Sequence, residues 1–122
     1  MQISAIGQIS ITVHDVDRAT VFYRDVLKLK HLFSFPRLSF FDCGGVRLML
    51  SIPETPELDH PSSIIYFKVA DIGASYEELR GHGVHFEAAP NMIARMEDHE
   101  LWLAEFRDSE DNVLSLMCEV PL

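Results

Sequence analysis

An α+β fold made of two consecutive βαβββ modules is what the sequence predicts, on three observations. The same order of strand-like and helix-like segments runs twice along the chain. The two runs superpose at their starts with an offset of 56 residues, so that Val13-x-Asp15-Val16 falls on Val69-x-Asp71-Ile72. An internal repeat of this size guides the fold more firmly than any single motif. Finally, 122 residues with 48% hydrophobic and 24% charged side chains form an ordinary globular chain, enough for one domain with its own core. The domain spans 1–122, with module one at 1–52, a linker at 53–61 and module two at 62–122.

In module one, Ile9-Ser10-Ile11-Thr12-Val13 alternates with period two, as a half-buried strand does. Asp15 or Asp17 can cap the helix that follows, because a carboxylate satisfies free N–H groups and suits the positive helix end. Val16, Ala19, Phe22, Tyr23, Val26 and Leu27 recur at helical spacing as one apolar stripe. Strands are expected at His31–Phe35, Leu38–Cys43 and Val46–Ile52, punctuated by Pro36 and Gly44-Gly45. Residues 53–61 hold three prolines and three acids and read as a linker. Module two restarts with a strand at Ile64–Val69 and a cap at Asp71. A short stripe of Ile72, Tyr76 and Leu79 closes at His82-Gly83, where glycine suits a left-handed C-terminal cap. Strands at Val84–Ala88, Glu100–Arg107 and Val113–Val120 complete it, the last two joined by Asp108-Ser109-Glu110-Asp111-Asn112.

The net charge of −9 argues against nucleic acid as a partner, because phosphate binding needs a basic surface. The charge is uneven. Residues 1–52 carry six basic and four acidic side chains, a net +2, which leaves −11 on the remainder. A solvated acidic face accounts for this, and so does a field that steers a ligand toward the basic half. No apolar run approaches the ~18 residues of a membrane span, and no signal peptide is visible at the N-terminus. Cys43 and Cys118 form no C-x-x-C pair and read as reduced core thiols of a cytoplasmic protein.

The stretch Gln8 to Leu27, with its strand, its Asp15-Val16-Asp17-Arg18-Ala19 turn and Phe22-Tyr23-Arg24-Asp25-Val26-Leu27, resembles the opening of the glyoxalase, bleomycin-resistance and extradiol-dioxygenase superfamily, the vicinal oxygen chelate proteins. Residues 108–112 sit where that family usually carries Asp-Pro-Asp-Gly-Asn. The resemblance covers nearly the whole chain. It implies two modules whose sheets curl into an open half barrel with helices outside and a ligand cavity inside, and it implies a homodimer. It does not fix the function, since this fold hosts isomerases, epimerases, dioxygenases, thiol transferases and drug-binding proteins.

Metal-using members of the family take four ligands, two from each module, as imidazole or carboxylate. The resemblance puts those positions at Gln8, Met49, Ile64 and Ser115. A thioether, a hydrocarbon and a neutral hydroxyl do not complete such a centre. A one-residue slip would bring Arg47 or Leu48, Ser63, and Leu114 or Leu116, none of them better. No metal and no other cofactor are therefore expected.

With Ile9, Ile11 and Val13 facing the helices, period two sends Gln8, Ser10 and Thr12 to the concave face. The same rule sends Ile64, Tyr66 and Lys68, then Arg47, Met49 and Ser51, then Val113, Ser115 and Met117, to that face. Trp102 and Phe106 are expected to join them, and one of Phe40 and Phe41. The expected ligand-binding residues are Gln8, Arg47, Met49, Ile64, Tyr66, Trp102, Phe106 and Ser115, an apolar and aromatic lining with a few polar points, as small-molecule pockets have. Alternatively, Met49, Ile64 and Trp102 fill the space as core. A buried Arg47 would need either an acid such as Asp42 or Glu105, or an anionic ligand.

Of the histidines, His14 and His82 fall at helix ends, His31 and His60 near a turn and in the linker, and His85 on a short strand. His99, within Glu97-Asp98-His99-Glu100, could bind metal or act as a general base, or form a polar strand entry. No nucleophile-base spacing and no glycine-rich phosphate loop are present. The sequence thus points to a cytoplasmic, metal-free binder of a small, partly apolar, anionic molecule. The rival readings are a lyase, isomerase or dioxygenase with a rearranged metal site around Gln8 and His99, and an interaction subunit whose cavity is collapsed.

Overall fold

The computed structural model describes residues 1–122, which divide into two compact units, Met1–Ser63 and Ile64–Leu122. Each carries an open four-stranded mixed sheet of the same topology.

In the first unit the strands are β1 (Gln8–Thr12), β2 (Lys30–Phe35), β3 (Leu38–Cys43) and β4 (Val46–Ser51), in the order β1-β4-β3-β2. β1 runs parallel to β4, and the other pairings are antiparallel. The tight turn between β3 and β4 places Gly44 and Gly45 at φ +58° and +92°, a conformation that favours glycine. Helix α1 (Val16–Val21) starts at Asp15, whose carboxylate accepts from the Arg18 N–H at 3.0 Å. The single expected helical stripe does not continue evenly. A π-helical turn takes over at Phe22–Val26, where the Leu27 N–H reaches back five residues to the Phe22 carbonyl. Tyr23 is fully buried within it, its ring 6.0 Å from that of Phe41 on β3. Ile11, Val13, Leu48, Leu50 and Phe41 form the core beneath α1, so this face of the sheet is the apolar one, as the alternation predicts.

In the second unit the strands are β5 (Ile65–Lys68), β6 (Asn91–Arg95), β7 (His99–Arg107) and β8 (Val113–Pro121), in the order β5-β8-β7-β6. Helix α2 (Ile72–Gly81) is capped by Asp71, which accepts from the Ala74 N–H at 3.0 Å. It ends as expected, with Gly83 at φ +84° and its N–H on the Arg80 carbonyl. Ile72 and Leu79 are buried, as are Ala104, Phe106, Leu114, Leu116 and Cys118 on β7 and β8.

The expected strand at Val84–Ala88 is not one. Phe86 makes a single bridge to Phe106, and its ring packs 4.8 Å from Tyr76 and 5.4 Å from Phe106. The segment plugs the gap between helix and sheet instead of running along an edge. Pro90 ends it, and the outer strand is Asn91–Arg95. That strand escaped the sequence pattern because a bulge at Ile93 breaks its period-two alternation, just as a bulge at Leu32 breaks β2.

Candidate ligand site on the first module

Paired residues on neighbouring strands share a sheet face, so the register alone lays out the side of the first sheet opposite α1. Three rows cross it. The first is Gln8, Arg47, Asp42 and Lys30; the second is Ser10, Met49, Phe40 and Phe33; the third is Thr12, Ser51, Leu38 and Phe35. One end of the face is charged, one flank is aromatic and the other carries hydroxyls. Of the two phenylalanines left open by the sequence, Phe40 belongs to this face and Phe41 to the core.

A cleft of about 550 Å³ opens over the second and third rows. Its floor is Ser10, Thr12, Leu38, Met49 and Ser51, and its wall is the segment after β4, including Glu54, Leu58, His60 and Ser62. That volume falls in the range of small-molecule sites, about 300–1,000 Å³. The linker is held down on the first unit. Ser62 Oγ accepts from the Thr12 N–H at 2.8 Å, His14 Nε2 meets Asp59 Oδ1 at 2.9 Å, and Arg37 donates to the Pro53 carbonyl at 3.0 Å. The sequence marked this segment only as a linker. Nothing in its proline-rich, aperiodic composition signals that it walls a cleft.

Arg47 departs from expectation in its surroundings. It is exposed, so the cost of a buried unpaired cation does not arise. Its Nε donates to Gln8 Oε1 at 2.8 Å, and its guanidinium lies over the Phe40 ring, 5.5 Å from the centroid. Asp42 is its neighbour in the row but makes no ion pair with it. Gln8 also directs its amide NH2 toward Met49 Sδ, at 3.6 Å.

On the second module, Tyr66 and Ser115 are direct partners on β5 and β8, the parallel pairing that Ser10 and Met49 make on β1 and β4. Tyr66 and Ile64 are 46% and 43% exposed. Ser115 lies on the expected face but is fully buried, its hydroxyl donating to the Leu116 carbonyl at 2.9 Å, with the Ala104 carbonyl at 3.3 Å. Trp102 and Phe106 are on the opposite face. Phe106 pairs with Leu114 and Trp102 with Cys118, so both belong to the helix side, and Phe106 is core. Period two fixes which residues share a face of β7, but both its faces carry large apolar side chains, so the pattern alone could not say which was which. Leu103 and Glu105 take their place opposite Met117 and Ser115.

His99 is enclosed by carboxylates. Nδ1 sits 2.7 Å from Asp98 Oδ1 and Nε2 sits 3.5 Å from Glu119 Oε2, while Lys68 approaches the other Glu119 oxygen at 3.6 Å. The hydrogen bond from His99 holds the Asp98 carboxyl below its ordinary range. His99 thus stands at the entry to β7 with Nδ1 hydrogen-bonded to Asp98 and Nε2 turned toward Glu119. Partial burial, with Asp42 alongside, pushes the Cys43 thiol up, which fits a packing role and not that of a nucleophile.

The family model of the Glyoxalase/Bleomycin resistance protein/Dioxygenase superfamily matches residues 5–116. The chain belongs to this superfamily. Its fold is shared by a superfamily member from Sphaerobacter thermophilus, with a TM-score of 0.80 at 22% identity over 96% of this chain and 98% of that one. A lactoylglutathione lyase from Agrobacterium tumefaciens gives 0.74 at 22% identity over 97% and 96%. An integron cassette protein from V. cholerae gives 0.79 at 19% identity over 97% of both chains.

A divalent centre of the kind that metal-using superfamily members build does not fit the residues here. In the first module, Gln8 offers one amide oxygen, and that oxygen is occupied by the Arg47 guanidinium, a cation 2.8 Å away. Its companion Met49 offers a thioether. In the second module, Ile64 has no donor and the Ser115 hydroxyl is spent on backbone carbonyls inside the sheet. Elsewhere no three His, Cys, Asp or Glu side chains converge as an ion site.

Proposed function

We propose that this superfamily member is a metal-free binding protein for a small, partly apolar, anionic molecule, taken up on the open face of the first module. The observation that carries this reading is the Gln8–Arg47 hydrogen bond. It turns a position suited to a cation ligand into a brace for a cation of the protein itself. The cleft beside it supplies volume, Leu38 and Met49 supply apolar surface, and Ser10, Thr12 and Ser51 supply hydroxyls. The +2 charge of residues 1–52 within a chain of net −9 favours an anion arriving at this module. The rival metal-dependent reading drew on Gln8 and His99, and Gln8 accepts from Arg47 while His99 Nδ1 is hydrogen-bonded to Asp98.

The protein acts in the cytoplasm, on this reading, and as a homodimer. Support for the dimer comes from β6, an outer strand that exposes Met92 and Ile93 and offers an edge for association. Sedimentation velocity at micromolar concentration should give a dimer, and a monomer would refute that part of the proposal.

Native mass spectrometry of the freshly purified, untagged chain tests the whole reading. The expected spectrum carries an organic adduct of a few hundred daltons, or gains one on screening organic acids. A chain that takes up no small molecule would favour an interaction subunit with an unused cleft.

A further inference from the structure

We propose that the anion is an aromatic carboxylate, with its carboxylate on the two terminal nitrogens of Arg47 and its ring against Phe33 and Phe35, which Phe40 supports from beneath; this rests on the binding function proposed above.

The geometry is that of a pre-set receptor. Gln8 consumes the Nε–H of Arg47, and the guanidinium carbon sits over the Phe40 ring, 5.5 Å from its centroid. The two Nη groups therefore keep their donors in a fixed fork, the shape that matches a carboxylate bidentately. An exposed arginine normally pays rotamer entropy to bind, and here two contacts already restrict it. Beside the fork lies an aromatic cluster that the first module leaves open. Phe33 and Phe35 are 43% and 57% exposed, with Phe40 buried beneath them. Their rings form a mutually tilted set, Phe33 to Phe40 at 4.7 Å, Phe33 to Phe35 at 5.6 Å and Phe35 to Phe40 at 6.4 Å. Such a set presents both ring faces and ring edges, and a fourth aromatic ring gains more from it than an aliphatic group of the same area.

The register explains why the cluster exists. The bulge at Leu32 shifts the alternation of β2, so that Phe33 and Phe35 share the face of Phe40 and Leu38 while His31 stays with Phe41. In unbroken register Leu32 would pair with Phe40, and the two phenylalanines would turn to the helix side. Asp42 stands in the same row as Arg47, but its register partner on the far side is Lys30, so the row as a whole is not acidic. Charge and aromatic surface therefore meet at one place, and a carboxylate attached to a ring satisfies both.

Calorimetric titration of the full chain with phenylacetate, phenylacetamide and cyclohexylacetate tests this. Phenylacetate should bind most tightly. The amide should lose about 10–100-fold, the scale of charge-assisted hydrogen bonds, and the saturated ring about 2–10-fold. Arg47→Lys should weaken phenylacetate by roughly 10-fold while leaving the melting curve unchanged, since the charge stays and the fork is lost. Phe33→Leu with Phe35→Leu should close the gap between phenylacetate and cyclohexylacetate. Equal affinity for the two acids, or an indifferent Arg47→Lys, would overturn the inference and leave the wider binding function standing. So would a chain that carries an organic adduct in native spectra yet ignores all three probes. A double phenylalanine variant that changes the sedimentation coefficient and not the affinities would also overturn it, since the cluster would then be a protein contact. Failure of all three probes together with adduct-free native spectra would remove both proposals.

Discussion

Arg47 and Gln8 decide the chemistry of the first module between them. A glutamine amide can serve a hard cation weakly, but not while its oxygen accepts from a guanidinium at 2.8 Å. Because Arg47 is exposed and braced only by Gln8 and Phe40, its removal should cost the fold little. Arg47→Met is expected to leave stability within about 0.5 kcal/mol of the parent, as exposed substitutions do. A thermal melt checks this, and a loss of several kcal/mol would reveal a structural role that the contacts do not contain. Much of this was legible in the residues themselves. Alternation put Gln8, Arg47 and Met49 on one face of the first sheet, and Tyr66 and Ser115 on one face of the second. What alternation could not give was solvent exposure. It marked Arg47 as a buried charge when it is open, and on β7, apolar on both faces, it gave Phe106 the wrong face.

Turns and bulges set what each element can present. The β7–β8 turn is built on Asp108, a buried carboxylate that accepts from the Glu110 N–H, the Asn112 N–H and the Asn112 amide at 2.8, 2.8 and 3.0 Å. Asp108→Ala leaves those donors without their acceptor and should lower stability by about 2–3 kcal/mol in chemical denaturation. Within the same turn Asp111 adopts φ +66°, where a side chain is strained. Asp111→Gly should raise stability by about 0.5–1 kcal/mol, because the ion pair it forgoes with Arg107 is exposed and long at 3.8 Å. An unchanged or lower midpoint for Asp111→Gly would show that the pair matters more than the backbone. Elements whose alternation ran unbroken, such as β1, β3, β4 and β8, could be read directly. β2 was read as well despite its bulge at Leu32, because Pro36 and its dense apolar run mark it, but not which face its side chains take. The bulge at Ile93 hid β6, and the π turn at Phe22–Val26 lay concealed inside an apparently regular helical stripe. Both involve hydrogen-bond shifts of one residue, to which a hydrophobic pattern is nearly blind.

At the scale of the chain, the duplication carries the fold, and the proposed function draws on the divergence of the two copies. Both modules keep the strand, the aspartate cap, the helix and the same strand order. They differ in charge, with the first mildly basic and the remainder strongly acidic. They differ also in what occupies the outer face of the sheet, which is phenylalanines, hydroxyls and an arginine fork in one, and Tyr66, Lys68, Glu105 and Glu119 in the other. The central claim is that neither copy supplies a divalent metal centre. Its most direct test is elemental analysis of untagged protein after separate incubation with nickel, zinc, manganese and iron(II) salts and removal of free ions. The account predicts far less than one ion per chain for every metal, because the amide oxygen of Gln8 is taken, Met49 and Ile64 are poor donors and Ser115 is sealed in the sheet. About one tightly held ion per chain of any of them would contradict it.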